Sequence, residues 1–549
     1  MMRFPLAPFL LVLFSARIQA LVWPALPVAP PVIAAVSEGP NGGNSTFQQL
    51  IDHSNPDLGT FSQRYWWNTT FWEGPGSPVV IFNPGEVPAE YYSGFLTNRT
   101  ISGLYAQALG AAIILIEHRY WGNSSPFDVL DTQNLTYLTL ENAVADMVHF
   151  ARNVRLPFDT SGATNAPKAP WINVGGSYSG ALAAWIDKLS PGTFWAHHAS
   201  SGPVQAIRDF WAYFQPIQEG MPKNCRDNMT SIAKHIDQVL GRQDETEILE
   251  LKTMFGLEQL EHVDDFASAV GFPVTEWQNI QLSTNFSTFF QMCDTVQGTR
   301  PVEIEDPDAD TATPNVTFNS ATAGVEKALA NYASWFKNEY LVGTCNNYGY
   351  NDWSDPHSVE CYDSYNETSP LYRDYSVGNV WNRQWFWMLC NQPFLYWQTG
   401  APPKVPSIVS RYVTPEYMER QCHLLFPPQG NATFGAAAGK TVGMLNELTD
   451  GWFVNTTRLI WLNGEFDPWR SASVSSIFRP GGPQQSTREA PVYLIRGARH
   501  CNDLGTANGE ADEEVRRAQL RAIAQMVEWV VEFYDLKERG EIGEDGWKV

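Results

Sequence analysis

Basic residues are scarce in this chain: 36 lysines and arginines stand against 59 aspartates and glutamates, a formal net charge of −23. That balance argues against nucleic acid as a partner and suits an acidic working environment. Charge of either sign is low, at 17% of 549 residues, which argues against a disordered chain. Long apolar runs are missing beyond the N-terminus, so no membrane anchor is expected. The seven cysteines never take the spacing of a zinc site, and neither metal nor cofactor is expected. No internal repeat appears. What the chain does have is aromatic mass, 13% of residues with 21 tryptophans, the composition of a large, tightly packed globule.

The N-terminus sets the destination. Arg3, the apolar stretch from Phe4 to Phe14 and Ile18-Gln19-Ala20 read as a signal peptide over residues 1–20, too short to span a bilayer. Residues 21–45 read as a leader or propeptide. Sequons at Asn44, Asn68, Asn98, Asn123, Asn134, Asn228, Asn285, Asn315, Asn366, Asn431 and Asn455 agree with secretion, or with a vacuolar or lysosomal address. An odd cysteine count in a secreted chain implies bridges and one free thiol. Proximity pairs Cys225 with Cys293, Cys345 with Cys361 and Cys390 with Cys422, leaving Cys501 over.

Gly175-Gly176-Ser177-Tyr178-Ser179-Gly180 follows a strand-like run, Trp171–Val174, and precedes a helix-like one, Ala181–Trp185. Strand, glycine turn, serine, helix is the layout of a nucleophile elbow, though Ser179 stands where a second elbow glycine is usual. Asp467 follows the strand-like Arg458–Asn463, and His500 follows the strand-like Pro491–Ile495. The order serine, acid, histidine is that of an α/β hydrolase. The chemistry needs all three: histidine takes the serine proton, and the carboxylate fixes the imidazole tautomer and stabilises its cation. A Cys501–His500 nucleophile pair is the weaker arrangement, because neighbours on an extended loop point apart.

The runs Pro78–Phe82 and Ala112–Glu117 read as buried strands, and Glu513–Tyr534 as an amphipathic helix with Leu520, Ile523, Val527, Val530 and Tyr534 on its apolar stripe. The interval from Ser177 to Asp467 is long and that from Asp467 to His500 short. A large, mostly helical cap inserted between sheet strands of an α/β-hydrolase fold explains the difference. The division expected is core over 46–205, cap over 206–440, core again over 441–536 and a flexible tail over 537–549.

Glu117-His118-Arg119-Tyr120-Trp121-Gly122, Asn463-Gly464-Glu465-Phe466-Asp467-Pro468-Trp469, the serine motif and the Gly497–His500 turn together resemble the lysosomal Pro-X carboxypeptidase family of serine peptidases. That family includes dipeptidyl peptidase II and the fungal acid prolyl endoproteases. Phe61-Ser62-Gln63-Arg64-Tyr65-Trp66-Trp67, Pro84-Gly85-Glu86-Val87 and Phe478–Pro483 resemble the fungal branch most. The resemblance implies Ser177 as nucleophile, Asp467 as orienting acid, His500 as base, and cleavage after proline in peptides or proteins as an acid-active prolyl endoprotease; monomer and homodimer both stay open. It leaves exopeptidase action open, and an esterase or lipase stands as a more distant alternative. Oxyanion donors are expected from the Tyr178 N–H and from Gly85 or Glu86. A proline pocket is expected from Trp469, with Trp387 and Phe394 as further walls. Glu117 and Arg119 are expected to pair with each other structurally. Acid activity requires His500 to lose its proton easily, through burial and the adjacent Arg499.

Overall fold

The computed structural model describes residues 41–284, 287–299 and 323–543. The expected signal peptide, most of the leader, Asn285, Asn315 and the end of the tail lie outside these residues. The chain forms strands β1 (Gly42–Leu50), β2 (Thr60–Asn68), β3 (Val79–Asn83), β4 (Ala112–Ile116), β5 (Trp171–Gly176), β6 (Ala196–Ser200), β7 (Ile207–Asp209), β8 (Leu395–Trp397), β9 (Leu459–Gly464) and β10 (Val492–Ile495). Eight of them make one sheet in the order β1-β2-β4-β3-β5-β6-β9-β10. From β4 to β10 neighbours run parallel, while β1–β2 and β2–β4 are antiparallel.

Continuous Val/Ile/Leu runs make these strands because both faces are covered. Along β3, β4 and β9 alternate residues go to opposite faces. Val79, Ile81, Ile114, Ile116 and Trp461 join one core, and Val80, Phe82, Ile113, Leu115, Ile460 and Leu462 the other. The second core is closed by helix α1 (Ile101–Leu109) and the C-terminal helix Glu513–Glu538. That helix buries Val515, Ala518, Ala522, Met526, Trp529, Val530 and Phe533. Of the expected stripe, Val530 is buried and Ile523 and Tyr534 pack against this core, whereas Leu520 is 57% exposed. Alanine and tryptophan positions face the sheet together with Val515 and Val530.

The first core takes in α2 (Leu140–Asn153) and α3 (Tyr178–Leu189) and continues into the insertion between β6 and β9. The insertion is mostly helical, with β7 and β8 pairing parallel inside it. Its bridges are Cys225–Cys293, Cys345–Cys361 and Cys390–Cys422, as expected, and Cys501 is free and buried. The insertion shares one apolar cluster with the sheet and touches the turns after three strands: Trp385 lies 5.3 Å from Tyr178 after β5, Trp277 Nε1 donates to Phe466 O (2.7 Å) after β9, and Ile280 O accepts from Asn502 Nδ2 (3.1 Å) after β10. No helix among the described residues is long and apolar enough to cross a membrane.

Candidate active site

Ser177 sits between β5 and α3 with φ 58° and ψ −128°, a conformation strained for a side chain other than glycine. The sequence permits it because its neighbours are small. A Cβ on Gly175 would lie 2.0 Å from the Ser179 carbonyl oxygen, and one on Gly180 would lie 2.6 Å from that of Ser200. Ser179 stabilises the turn from within: its hydroxyl donates to Gly176 O (2.7 Å) and accepts from Gly176 N (3.1 Å). The Ser177 N–H donates to Ser200 O at 2.9 Å.

The acid turn and the histidine turn are joined by their backbones. Phe466 N donates to Ala498 O and Glu465 N to Ile495 O, both at 2.9 Å. Gly464 permits this approach, since a Cβ there would lie 2.5 Å from Arg499 O. Asp467 Oδ1 accepts from Trp469 N and from His500 Nδ1, each at 3.0 Å. With Nδ1 as the donor, Nε2 is the acceptor, the tautomer a general base requires. Ser177, Asp467 and His500 are all at most 2% exposed, and neither Ser177 Oγ nor His500 Nε2 hydrogen bonds to a protein group.

The histidine turn rests on a second buried set that sequence reasoning missed. Asp503 Oδ1 accepts from Ser200 Oγ (2.6 Å), its Oδ2 lies 3.0 Å from His198 Nε2, and His198 Nδ1 lies 2.8 Å from the Tyr105 hydroxyl. Cys501 N donates to Ser201 Oγ at 2.9 Å, and the Cys501 thiol faces Ser200 O at 3.9 Å. The only signal in the sequence was an aspartate three residues after the histidine.

Gly85 (φ 80°) packs against the start of α3, where a Cβ would lie 3.4 Å from the Tyr178 ring and 3.6 Å from Ser179 N. Its N–H is engaged by Asn83 Oδ1 at 2.7 Å, which removes Gly85 from the expected oxyanion donors. Of the expected pocket walls, Trp469 lies 6.5 Å from the His500 ring and 5.3 Å from Tyr396. Phe394 lies 6.1 Å from both Tyr178 and Tyr396. Trp387 is elsewhere: its Nε1 donates to Leu138 O (3.1 Å) and its ring packs on Phe426. Residues two apart on a helix point to opposite sides, and it is Trp385 that meets Tyr178, at 5.3 Å. Trp385 and Tyr396 were thus missed. Tyr396 follows Leu395 in a pair of left-handed residues (φ 53° and 58°) and donates its hydroxyl to Pro203 O at 2.6 Å.

The family model for serine carboxypeptidase S28 matches residues 48–522. This chain belongs to the S28 serine peptidase family. It is 43% identical over 534 residues to the serine protease vicPb of Bipolaris victoriae, covering 97% of each chain. It is 28% identical to the "Probable extracellular serine carboxypeptidase" of Arthroderma benhamiae (84% of this chain, 63% of that one). To the mouse thymus-specific serine protease it is 24% identical, over 88% and 86% of the two chains. Among solved structures, a proline iminopeptidase of Mycobacterium smegmatis aligns with 88% of this chain and 99% of its own at a TM-score of 0.32 and 10% identity.

Two electrostatic expectations are corrected in this S28 chain. Glu117 and Arg119 do not pair. Glu117 takes both Arg64 Nε (2.8 Å) and Nη2 (2.7 Å) and accepts from Ala89 N (3.1 Å), whereas Arg119 binds Asp146. Burial does push His500 toward neutrality, but Cys501 and Asp467 outweigh it and hold the imidazole well above its ordinary range. Asp467 is the cause we assign, since a carboxylate 3.0 Å from Nδ1 favours the cation directly. Arg499 does not oppose this: its guanidinium lies over the Trp277 ring, 4.4 Å from the centroid.

Proposed function

We propose that this S28 peptidase hydrolyses the bond on the carboxyl side of proline within longer peptides, through an acyl-enzyme on Ser177. The observation that carries the reading is one strained serine on the turn after β5, whose N–H donates to Ser200 O, and a paired, buried Asp467–His500 whose turn is bonded to the adjoining Ser201 through Cys501 N. In this mechanism Ser177 Oγ attacks the prolyl carbonyl carbon while His500 Nε2 takes the hydroxyl proton. Asp467 holds Nδ1–H and stabilises the imidazolium. The Tyr178 and Glu86 N–H groups receive the oxyanion. His500 then delivers its proton to the leaving amine, and a water, deprotonated by the same Nε2, releases the prolyl acid. In this mechanism the Ser177 Oγ to His500 Nε2 hydrogen bond forms as substrate enters, as catalytic hydrogen bonds commonly do.

Support for proline comes from the ring geometry. Tyr178, next to the nucleophile, and Trp469, near the base, are linked through Phe394 and Tyr396, with Trp385 behind Tyr178. Flat, buried walls of this kind hold a rigid pyrrolidine at small entropic cost. Internal cleavage rests on the resemblance to the fungal branch. Carboxypeptidase action is the second reading, favoured by the name of the Arthroderma relative. Secretion is part of the proposal, supported by three cap disulfides and by exposed Asn98, Asn123, Asn431 and Asn455. Acid activity is not, because Asp467 raises the base.

The test is a rate comparison between a succinyl-Ala-Ala-Pro chromogenic amide, a Pro-X peptide with a free carboxyl terminus and a medium-chain nitrophenyl ester. Hydrolysis of the blocked amide supports the proposal. Hydrolysis of the free-carboxyl peptide alone favours the second reading, and of the ester alone overturns both.

A further inference from the structure

Asn68, Asn123 and Asn455 each head an Asn-x-Ser/Thr triplet and each follow an aromatic residue by two positions: Trp66, Trp121 and Phe453. The fold treats the three rings differently. Trp121 is buried, and its Nε1 donates to Asn382 Oδ1 at 2.8 Å. Trp66 packs against the second core and lies under the Arg64 guanidinium. Phe453 alone of these is left in solvent, 55% exposed.

That exposure does not come from a loose loop. Phe453 closes the tight turn Gly451–Phe453, and its N–H donates to Asp450 O at 2.8 Å. Trp452 N donates to Gln205 Oε1 at 2.9 Å, and on the far side Thr457 N donates to Asp187 Oδ2 at 2.6 Å. Between them Val454 is buried, with φ −50° and ψ 121°. Successive side chains of an extended segment point to opposite sides, so with Val454 inward Phe453 and Asn455 both face out. Asn455 is exposed accordingly. Arg479 covers one face of the phenyl ring, its guanidinium 4.7 Å from the centroid and held there by Trp452 O and Gly482 O, each at 2.9 Å. The other face is left to water.

We propose that Asn455 is an occupied N-glycosylation site and that the first N-acetylglucosamine of its glycan packs on the open face of Phe453. The inference rests on secretion, which is part of the function proposed above. The sequon is Asn455-Thr456-Thr457. In the modification the Asn455 amide nitrogen displaces the diphosphate of a lipid-linked oligosaccharide. The bond from the anomeric carbon to the diphosphate oxygen breaks, a bond to Nδ2 forms, and Nδ2 gives up one proton. Residues two apart on an extended chain are about 6.6 Å apart, so a sugar joined at Nδ2 reaches the ring. One side of that sugar presents C–H groups, which the negative face of an aromatic ring attracts. Being tethered, it packs without the loss of translational freedom that a separate partner would have to overcome.

The test uses the chain secreted from a eukaryotic host as parent, Phe453→Leu and Phe453→Tyr, with the sequon intact in all three. Glycopeptide mass spectrometry should find Asn455 occupied in each. From the folded proteins, an endoglycosidase should release this glycan about twofold to tenfold more slowly in the parent and Phe453→Tyr than in Phe453→Leu, because the sugar must first leave the ring. With the glycan labelled with carbon-13, a proton signal of the first sugar at Asn455 should stand upfield of its counterparts at the other sequons, in the ring current, and rejoin them in Phe453→Leu. Equal release rates in parent and Phe453→Leu, or the absence of a shifted signal, overturn the proposal. So does a chain glycosylated at other sequons but bare at Asn455. A chain bare at every sequon overturns the secretion reading together with it.

Discussion

Removing the Asp503 carboxyl separates a positioning role from simple bulk. Asp503, His198, Ser200 and Tyr105 are all at most 2% exposed and bonded in series. In Asp503→Ala, the Ser200 hydroxyl and His198 Nε2–H lose their acceptor inside the fold. Breaking a buried pair from one side costs about 3–5 kcal/mol. Unfolding entropy of about 2.1 cal/mol/K per residue makes about 1 kcal/mol/K for a chain this long, so Tm should fall by about 3–5 °C. Asp503→Asn is different. Its oxygen still accepts from Ser200, and its amide donates to His198 Nε2 once the histidine shifts its proton to Nδ1 and donates to Tyr105. That exchange costs about 1 kcal/mol, or about 1 °C. Because Asp503 ends the turn that carries His500, Asp503→Ala should also lower kcat on the order of tenfold to a hundredfold with KM little changed. Scanning calorimetry at one scan rate and steady-state kinetics read both quantities. Equal losses in the two variants, or a loss in KM instead of kcat, would refute the reasoning.

Ser177→Ala should abolish fluorophosphonate labelling and lower kcat by about 10⁴-fold or more, while Ser179→Ala keeps the label; label that follows Ser179 contradicts the elbow. The acidic limb of log(kcat/KM) should lie above about pH 6.5, because a base with a raised pKa regains its lone pair only as pH rises past that value, and activity is lost below it. Arg499→Gln should leave that limb in place, and a shift to higher pH would restore the discarded role of Arg499. Trp385→Leu should cut kcat/KM on prolyl substrates about tenfold to a hundredfold, judged against an alanyl analogue, whereas Trp387→Phe should lower Tm without changing the prolyl-to-alanyl ratio.

Residue order and local composition carried the sheet and the three residues proposed to react. Serine, acid and histidine each end a run of apolar residues, and such runs can be read because a sheet covered on both faces demands them. The disulfides were legible for a different reason: each joins cysteines near in sequence. Contacts between distant segments left no such trace. The β7–β8 pairing that sets Tyr396 beside Trp469 joins residues on either side of most of the cap. Trp387 was preferred to Trp385 because the run Trp385-Phe386-Trp387 is apolar all round and only the packed helix decides which ring faces Tyr178. The stripe of Glu513–Glu538 was read only in part, with Leu520 misplaced and Ala518 and Ala522 overlooked, since alanines that permit close packing carry little hydrophobic signal. Arg499 shows the limit of reading charge from adjacency: next to His500 in the chain, its guanidinium is turned onto Trp277.

The most direct test of the account is mass spectrometry of a long peptide with several internal prolines after brief digestion by the parent enzyme and by Ser177→Ala. The account predicts internal fragments ending in proline from the parent and an intact peptide from Ser177→Ala. A ladder shortened from one terminus would contradict internal cleavage, and cuts indifferent to proline, or unaffected by loss of the Ser177 hydroxyl, would contradict the site itself.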